Sequence, residues 1–293
     1  MIDTVYYFNI NYYCNNDCIY CFSSSTGKER RQIPYQKLES FLQKSGLGDT
    51  DLIVLNGGEP SIHPDFYHIL RLAYEETAAH VVTYTNGRQL DLQRIPASDR
   101  LRFVIPIHGS EFIHDDIAQR KGAFADTLLT LKRLENVHRN YAIKFIVNDD
   151  MVRMNFQMTE FLTSHGLHPR EIMIARLNAT KKSRLHGVKI VGKKALKAYL
   201  SEQEKMLQGG TTVKYIDIPP CLIRSCSKLV KPVRPDPCFY FSDDRFWMEK
   251  RSYYKQVQIG SDCMRCDQQE ICQTMQRSYW TIAWRNGWKF VTE

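Results

Sequence analysis

Between Thr4 and Asn178, short runs rich in apolar, aromatic and β-branched residues alternate six times with longer segments. In most of those longer segments the apolar residues recur at helical spacing. The strand-like runs are TVYYFNINYY (from Thr4), DLIVLNG, HVVTY, LRFVIPI, YAIKFIV and EIMIAR. The helical segments include IPYQKLESFLQKSG, stopped by Gly46, then HPDFYHILRLAYEE, FADTLLTLKRLENV and NFQMTEFLTSHG. Alternation of this kind implies parallel strands joined by right-handed crossovers. Six units are too few for a closed eight-unit barrel, so an open doubly wound sheet or a partial barrel fits.

The chemically notable residues fall where these strands end. Cys14, Cys18 and Cys21 follow the first strand, and Gly57-Gly58-Glu59-Pro60 the second. Thr85-Asn86-Gly87 follows the third, His108-Gly109 the fourth, Asn148 the fifth and Arg176 with Asn178 the sixth. Parallel α/β folds build their active sites on that rim, so the pattern points to an enzyme.

Nine cysteines in a chain without a membrane-length apolar run or an apolar leader at Met1 predict a reducing, cytoplasmic setting rather than disulfides. They are clustered: Cys14, Cys18 and Cys21 form one group, and Cys221, Cys226, Cys238, Cys263, Cys266 and Cys272 another. Inert core cysteines would spread through the chain, so clustering argues for metal or cluster ligation. A cubane iron–sulfur cluster is completed by four cysteines, and three leave one iron open to a small molecule. The competing reading is a zinc site that borrows a distant fourth ligand.

CNNDCIYC, Cys14 to Cys21, resembles the C-x3-C-x-aromatic-C signature of the radical S-adenosylmethionine (radical SAM) superfamily, with Tyr20 at the aromatic position. GGEP at Gly57–Pro60 resembles that family's second-strand motif, and TNG at Thr85–Gly87 a common third-strand motif. The stretch GSEFIHDDIAQRKGAFADTLLTLKRL resembles the segment after the fourth strand in peptide-modifying members. The resemblance implies a partial (β/α)6 barrel of the TIM type. Cys14, Cys18 and Cys21 would hold a [4Fe–4S] cluster whose open iron binds the amino and carboxylate groups of SAM. It further implies that Gly57–Glu59 contact the methionyl amino group, that the backbone around Tyr20 meets the adenine, and that Asn148 contacts the ribose. Pro60, Thr85 and Asn86 join the cofactor-binding set on the same ground. Reductive cleavage of SAM would yield a 5′-deoxyadenosyl radical that takes hydrogen from a substrate, with the barrel orienting that substrate.

His108 and His114 are candidates to handle a proton, against the plainer role of hydrogen-bonding loop residues. Glu111, Asp115 and Asp116 read as solvated or capping residues, and Met151, Met154 and Met158 as helix packing.

Past Lys189 the texture changes: one helix from Lys193, then prolines and six cysteines with little periodicity. The expected division is a barrel over 1–190, a linking helix over 191–210 and an irregular cysteine-rich iron–sulfur domain over 211–293. CMRCDQQEIC, Cys263 to Cys272, resembles the auxiliary-cluster module called SPASM, or its shorter form Twitch, but the cysteines expected after Cys272 are missing. One or two auxiliary clusters, or zinc, would share those six thiols.

The resulting expectation is a radical SAM maturase acting on a ribosomally made peptide or protein by crosslinking, epimerisation or oxidation. A radical SAM enzyme acting on a small molecule (an amino sugar, nucleoside or cofactor precursor) is the alternative, and a zinc-stapled nucleic-acid-binding protein the non-enzymatic one. The net charge is +8, and Lys181–Lys197 holds seven basic residues and no acid. That stretch reads as a solvated face. It lacks the interleaved aromatics of a nucleic-acid surface, which also weakens an RNA-modifying role. Because Cys14 follows Met1 so closely, leader recognition is expected to fall to a separate protein or to this basic surface. An electron donor of flavodoxin or ferredoxin type is the other expected partner, and a membrane is not.

Overall fold

The computed structural model describes residues 2–177, 180–207, 211–216, 218–223, 238–242 and 246–249. Strands β1 (Thr4–Asn11), β2 (Asp51–Gly57), β3 (His80–Tyr84), β4 (Leu101–Ile107), β5 (Tyr141–Val147), β6 (Glu171–Arg176) and β7 (Thr212–Ile216) pair in sequence order, all parallel. Two further strands extend the β1 edge: β8 (Cys238–Phe241) parallel to β1, and β9 (Phe246–Glu249) antiparallel to β8. The strand order from β1 to β7 never reverses, so the described sheet has no switch point of the doubly wound kind. Of the two architectures the alternation allowed, the sequential, open sheet is the partial barrel.

Helices α1 (Tyr35–Ser45), α2 (Phe66–Glu75), α3 (Glu111–Ala118), α4 (Ala123–Asn136), α5 (Asp149–Arg153), α6 (Met158–His165), α7 (Lys181–Leu185) and α8 (Lys193–Met206) connect the strands. Side chains alternate across each strand, so one face of the sheet meets the helices. Phe8, Ile10, Ile53, Leu55, Phe103, Ile105, Ile143 and Phe145 join the buried Leu38 and Leu42 of α1, Phe66 and Ile69 of α2, Leu131 and Leu134 of α4, and Leu196 and Leu200 of α8 in one core. The opposite face carries a smaller cluster of Val104, Ala142 and Met173, with Val82, Tyr84 and Ile216 against it.

The structure departs from the sequence reading in three respects. The run Thr4–Tyr13 pairs as a strand only to Asn11, because the chain beyond must turn into the cysteine loop. α3 and α5 are helices that mixed polar sequence concealed. β7 and β8 lie beyond Lys189, where periodicity fades, yet they extend the sheet at its two ends. β8 is recognised by rings rather than by pattern: Tyr6 stacks on Phe239, Tyr7 on Tyr240 and Phe8 on Phe241, at centroid distances of 5.0, 4.9 and 4.5 Å.

Met151 and Met158 are buried as expected, whereas Met154 is exposed. No helix among the described residues is long and apolar enough to cross a membrane.

Candidate active site

Beyond Asn11 the chain is held from several sides. Tyr12 N–H donates to Arg31 O at 3.0 Å and Cys14 N–H to Thr26 O at 3.3 Å, so residues 26–32 fold back along it. Asp17 N–H donates to Ala118 O at 2.9 Å and Ile19 N–H to Ile117 O at 3.0 Å, which docks the loop on the end of α3. Tyr20 enters a pocket of Ile113, Ile117 and Leu177. The Lys182 ammonium pairs with Asp17 from above.

Cys14, Cys18 and Cys21 are free thiols. Burial pushes the Cys14 and Cys18 thiols up to about 12; Glu59 and Cys21 add to the rise at Cys14, and Cys14 and Cys21 to the rise at Cys18. Thiolates gathered in such a place need a cation to exist. Cys14 and Cys21 lie within the electrostatic field of Cys18, and three cysteine sulfurs gathered in one loop are a donor set that suits an iron–sulfur cluster with one open iron.

The second strand end lies against the first. Gly58 N–H donates to Asn11 O at 2.9 Å, and Glu59 N–H to Tyr13 O at 2.8 Å. A Cβ on Gly57 would sit 2.3 Å from Asn11 O, and Gly57 has φ 149°, a backbone conformation side chains resist. A Cβ on Gly58 would sit 2.0 Å from Tyr13 O. The paired glycines therefore have a local reason: they let β2 approach the backbone that leads into Cys14.

Glu59 is an internal hub. Its carboxylate accepts from Ser61 N–H at 3.0 Å, Ser61 Oγ at 2.7 Å, Thr85 Oγ1 at 2.5 Å and Asn86 N–H at 2.6 Å. Burial raises its pKa while these four donors oppose the rise. The side chain thus ties GGEP to TNG, with Pro60 opening a buried 3-10 turn between them. Asn86 in turn donates from Nδ2 to Asn15 Oδ1 at 2.6 Å, inside the cysteine loop.

Asn148 is occupied as well. Its Oδ1 caps α5 by accepting from Met151 N–H at 2.9 Å, and its Nδ2 donates to His108 O at 2.8 Å and Ile146 O at 3.1 Å. The signal was present in the sequence as an Asn followed by two Asp, an N-cap with acids in the first turn.

His108 and His114 lie inside, not on an open rim: both are buried, with rings 4.8 Å apart. His108 Nδ1 shares a 2.6 Å hydrogen bond with Tyr20 Oη, and His108 N–H donates to His114 Nδ1 at 3.4 Å. Burial, then His114 and Lys144, holds His108 well below the usual imidazole range. Burial is also the main reason that His114 falls to about 4. Asp115 caps the start of α4 through Gly122 N–H and Phe124 N–H at 2.6 and 2.8 Å, as expected of a capping residue.

The histidines predict an acid sensitivity. The folded chain keeps His114 neutral until about 4, whereas the unfolded chain protonates it near 6.5. Below 6.5 the unfolded state binds more protons, so stability falls with pH, by about 1.4 kcal/mol per unit for this residue, until the folded state also protonates. His114→Gln should flatten that slope between pH 6.5 and 4 in urea titrations. An unchanged slope would mean that His114 is not buried neutral.

Of the residues named from sequence, the structure gathers Cys14, Cys18, Cys21, Tyr20, Gly57, Gly58, Glu59, Thr85, Asn86, His108, His114 and Asn148 around the same strand ends. Cys221 is exposed, and Cys238 begins β8. Cys226, Cys263, Cys266, Cys272 and Asn178 lie outside the described residues. Arg88 was missed. It directly follows TNG, and its guanidinium reaches both the cysteine loop and Asp126.

An open parallel half barrel with three thiols and a glycine-lined cradle at its strand ends is the architecture of an enzyme that works on its rim. Residues 8–150 match the family described as the radical SAM superfamily. The mycofactocin maturase MftC of Mycolicibacterium smegmatis is 27% identical over 174 residues, covering 57% of this chain and 43% of that protein. The AdoMet-dependent heme synthase of Methanosarcina barkeri is 24% identical over 163 residues, covering 53% and 46%. Each match spans less than half the length of the curated relative. Among solved structures, anSMEcpe with bound AdoMet and Kp18Cys peptide superposes with a TM-score of 0.69 at 13% identity, over 98% of both chains. That likeness is one of fold.

Proposed function

We propose that this protein is a radical SAM maturase that modifies a ribosomally made peptide or protein. The observation that carries the reading is the half-buried three-thiol loop joined through Asn11, Glu59 and Asn86 to the GGEP and TNG strand ends, within a stretch that matches that superfamily. Cys14, Cys18 and Cys21 would hold a [4Fe–4S] cluster, and Gly57–Glu59 would face bound SAM. The chemistry that a bound cluster and SAM supply is one-electron cleavage to methionine and a hydrogen-abstracting 5′-deoxyadenosyl radical.

The chain's own residues prepare the place. Gly57 and Gly58 let the end of β2 close against the Asn11–Tyr13 backbone, and Glu59 fixes the GGEP and TNG segments to each other. Tyr20 closes the pocket over Ile113 and Ile117, and its Oη is hydrogen-bonded to His108 Nδ1. His108 and His114, kept neutral, are the proposed proton-handling groups.

A peptide substrate is supported by the maturase relative and by the peptide bound in anSMEcpe. A small cofactor precursor is the second reading, supported by the heme synthase relative. We further propose the division 1–190, 191–210 and 211–293. One or two auxiliary clusters would use Cys221, Cys226, Cys238, Cys263, Cys266 and Cys272. A flavodoxin- or ferredoxin-type electron donor would serve it in the cytoplasm. Leader recognition would fall to a separate protein or to the Lys181–Lys197 surface.

Purification without oxygen, reconstitution and iron and sulfide counting should give roughly four irons per cluster. Reduction with SAM should release 5′-deoxyadenosine. A colourless protein that holds only zinc and leaves SAM intact would reject the reading. Tests against a short peptide encoded beside this gene then separate peptide from small-molecule substrates.

A further inference from the structure

We infer that Arg88 and Asp126 form an oriented charge pair that sets the reduction potential of a cluster at Cys14, Cys18 and Cys21, acting through one peptide unit. The inference rests on the proposed function, since it needs a cluster at that site.

The Arg88 side chain is 15% exposed and uses both sides of its fork. Nε and Nη2 donate to Asp126 Oδ2 at 3.1 and 3.0 Å. Nη1 donates to Asn15 O at 2.9 Å and to Asn16 Oδ1 at 3.0 Å. Arg120 Nε donates to the same Asn15 oxygen at 3.3 Å. Asn15 O and Asn16 N–H belong to one peptide group, and that N–H donates to Cys14 Sγ at 3.4 Å. Two guanidinium groups therefore polarise the carbonyl end of the peptide whose amide end points at a cluster ligand.

Hydrogen bonds in series strengthen one another in a low-dielectric site. A stronger N–H donor to a ligating sulfur, and a positive charge behind it, favour the reduced, more negative cluster. Asp126 works the other way. Its carboxylate neutralises part of the Arg88 charge and keeps the fork turned toward the loop. The pair thus balances the potential as well as the position of Asn15 and Asn16. Arg88 and Asp126 are positioning residues, since neither touches a cluster ligand directly.

The opposed charges give a test that a purely structural role would fail. Reductive titration of the reconstituted enzyme, followed by electron paramagnetic resonance, reports the potential of the signal that responds to added SAM. Arg88→Gln should make that potential more negative by about a tenfold change in the reduction equilibrium, roughly 59 mV for one electron. Asp126→Asn should move it in the positive direction by a smaller amount, because Asp126 is half exposed and screened. Arg88→Lys should fall between wild type and Arg88→Gln. Shifts of the same sign for Arg88→Gln and Asp126→Asn, or none, would overturn the inference while leaving the proposed function standing. Absence of any SAM-responsive cluster in the wild type would remove both. Should Arg88→Gln fail to fold, Arg120→Gln, on the same carbonyl from an exposed side chain, must lower the potential; no change there overturns the inference equally.

Discussion

Replacing Cys18 with alanine is expected to abolish release of 5′-deoxyadenosine from SAM and to remove the iron that the Cys14–Cys21 loop would hold. Removing a residue that only supports a metal ligand costs roughly 10–100-fold in affinity or activity. Removing a ligand itself should exceed that range. Cys18 lies between Cys14 and Cys21 in the loop, its thiol pushed up mainly by burial, with the Lys182 charge pulling the other way. No other thiol among the described residues shares this loop, so a substitute ligand is not at hand there. Cys14→Ala and Cys21→Ala should give the same loss. The readouts are iron and sulfide per chain and 5′-deoxyadenosine per chain by chromatography. Cleavage that persists in any one of the three variants would show that the cluster is held elsewhere.

The parts legible in the sequence are those whose signals are local. Six of the seven parallel strands from β1 to β7 were readable because each is a short apolar run ending in a polar motif. The placement of Cys14, Gly57, Thr85, His108 and Asn148 at strand ends followed from the same runs. β7 and β8 were not readable, since four or five residues carry too little periodicity to announce a strand. What brings β8 to the sheet is the ring ladder from Phe239 to Phe241 on Tyr6 to Phe8, a contact between residues more than two hundred positions apart. The site shows the same division. Family resemblance pointed to Glu59 and Asn148, but only the fold shows their side chains spent on Ser61, Thr85 and Asn86 in one case and on His108 and Met151 in the other. Arg88 and Asp126 had no signal, because their partnership depends on the TNG turn meeting α4.

Gly58→Ala should be among the most damaging single substitutions outside the cysteines, and it should damage stability and iron retention together. The added methyl would lie 2.0 Å from Tyr13 O, 2.5 Å from Tyr13 C and 3.0 Å from Tyr12 C. All three are backbone atoms, so no side chain can swing aside. The ends of β1 and β2 would have to part, weakening Gly58 N–H to Asn11 O and Glu59 N–H to Tyr13 O. Overpacking commonly costs 1–3 kcal/mol, and a clash confined to backbone belongs at or above the top of that range, about 3 kcal/mol or more. Gly46, at the end of α1, supplies the internal scale. It has φ 61° and nothing within 4 Å of an added Cβ, so Gly46→Ala should cost only about 1 kcal/mol through conformation alone. Urea midpoints at unchanged slope would measure both. Tyr13 immediately precedes Cys14, so separation at Gly58 also displaces the first thiol of the loop. Iron loading should therefore fall in Gly58→Ala and stay at the wild-type level in Gly46→Ala. Equal loading in the two variants would mean that the glycine cradle and the cysteine loop are mechanically independent.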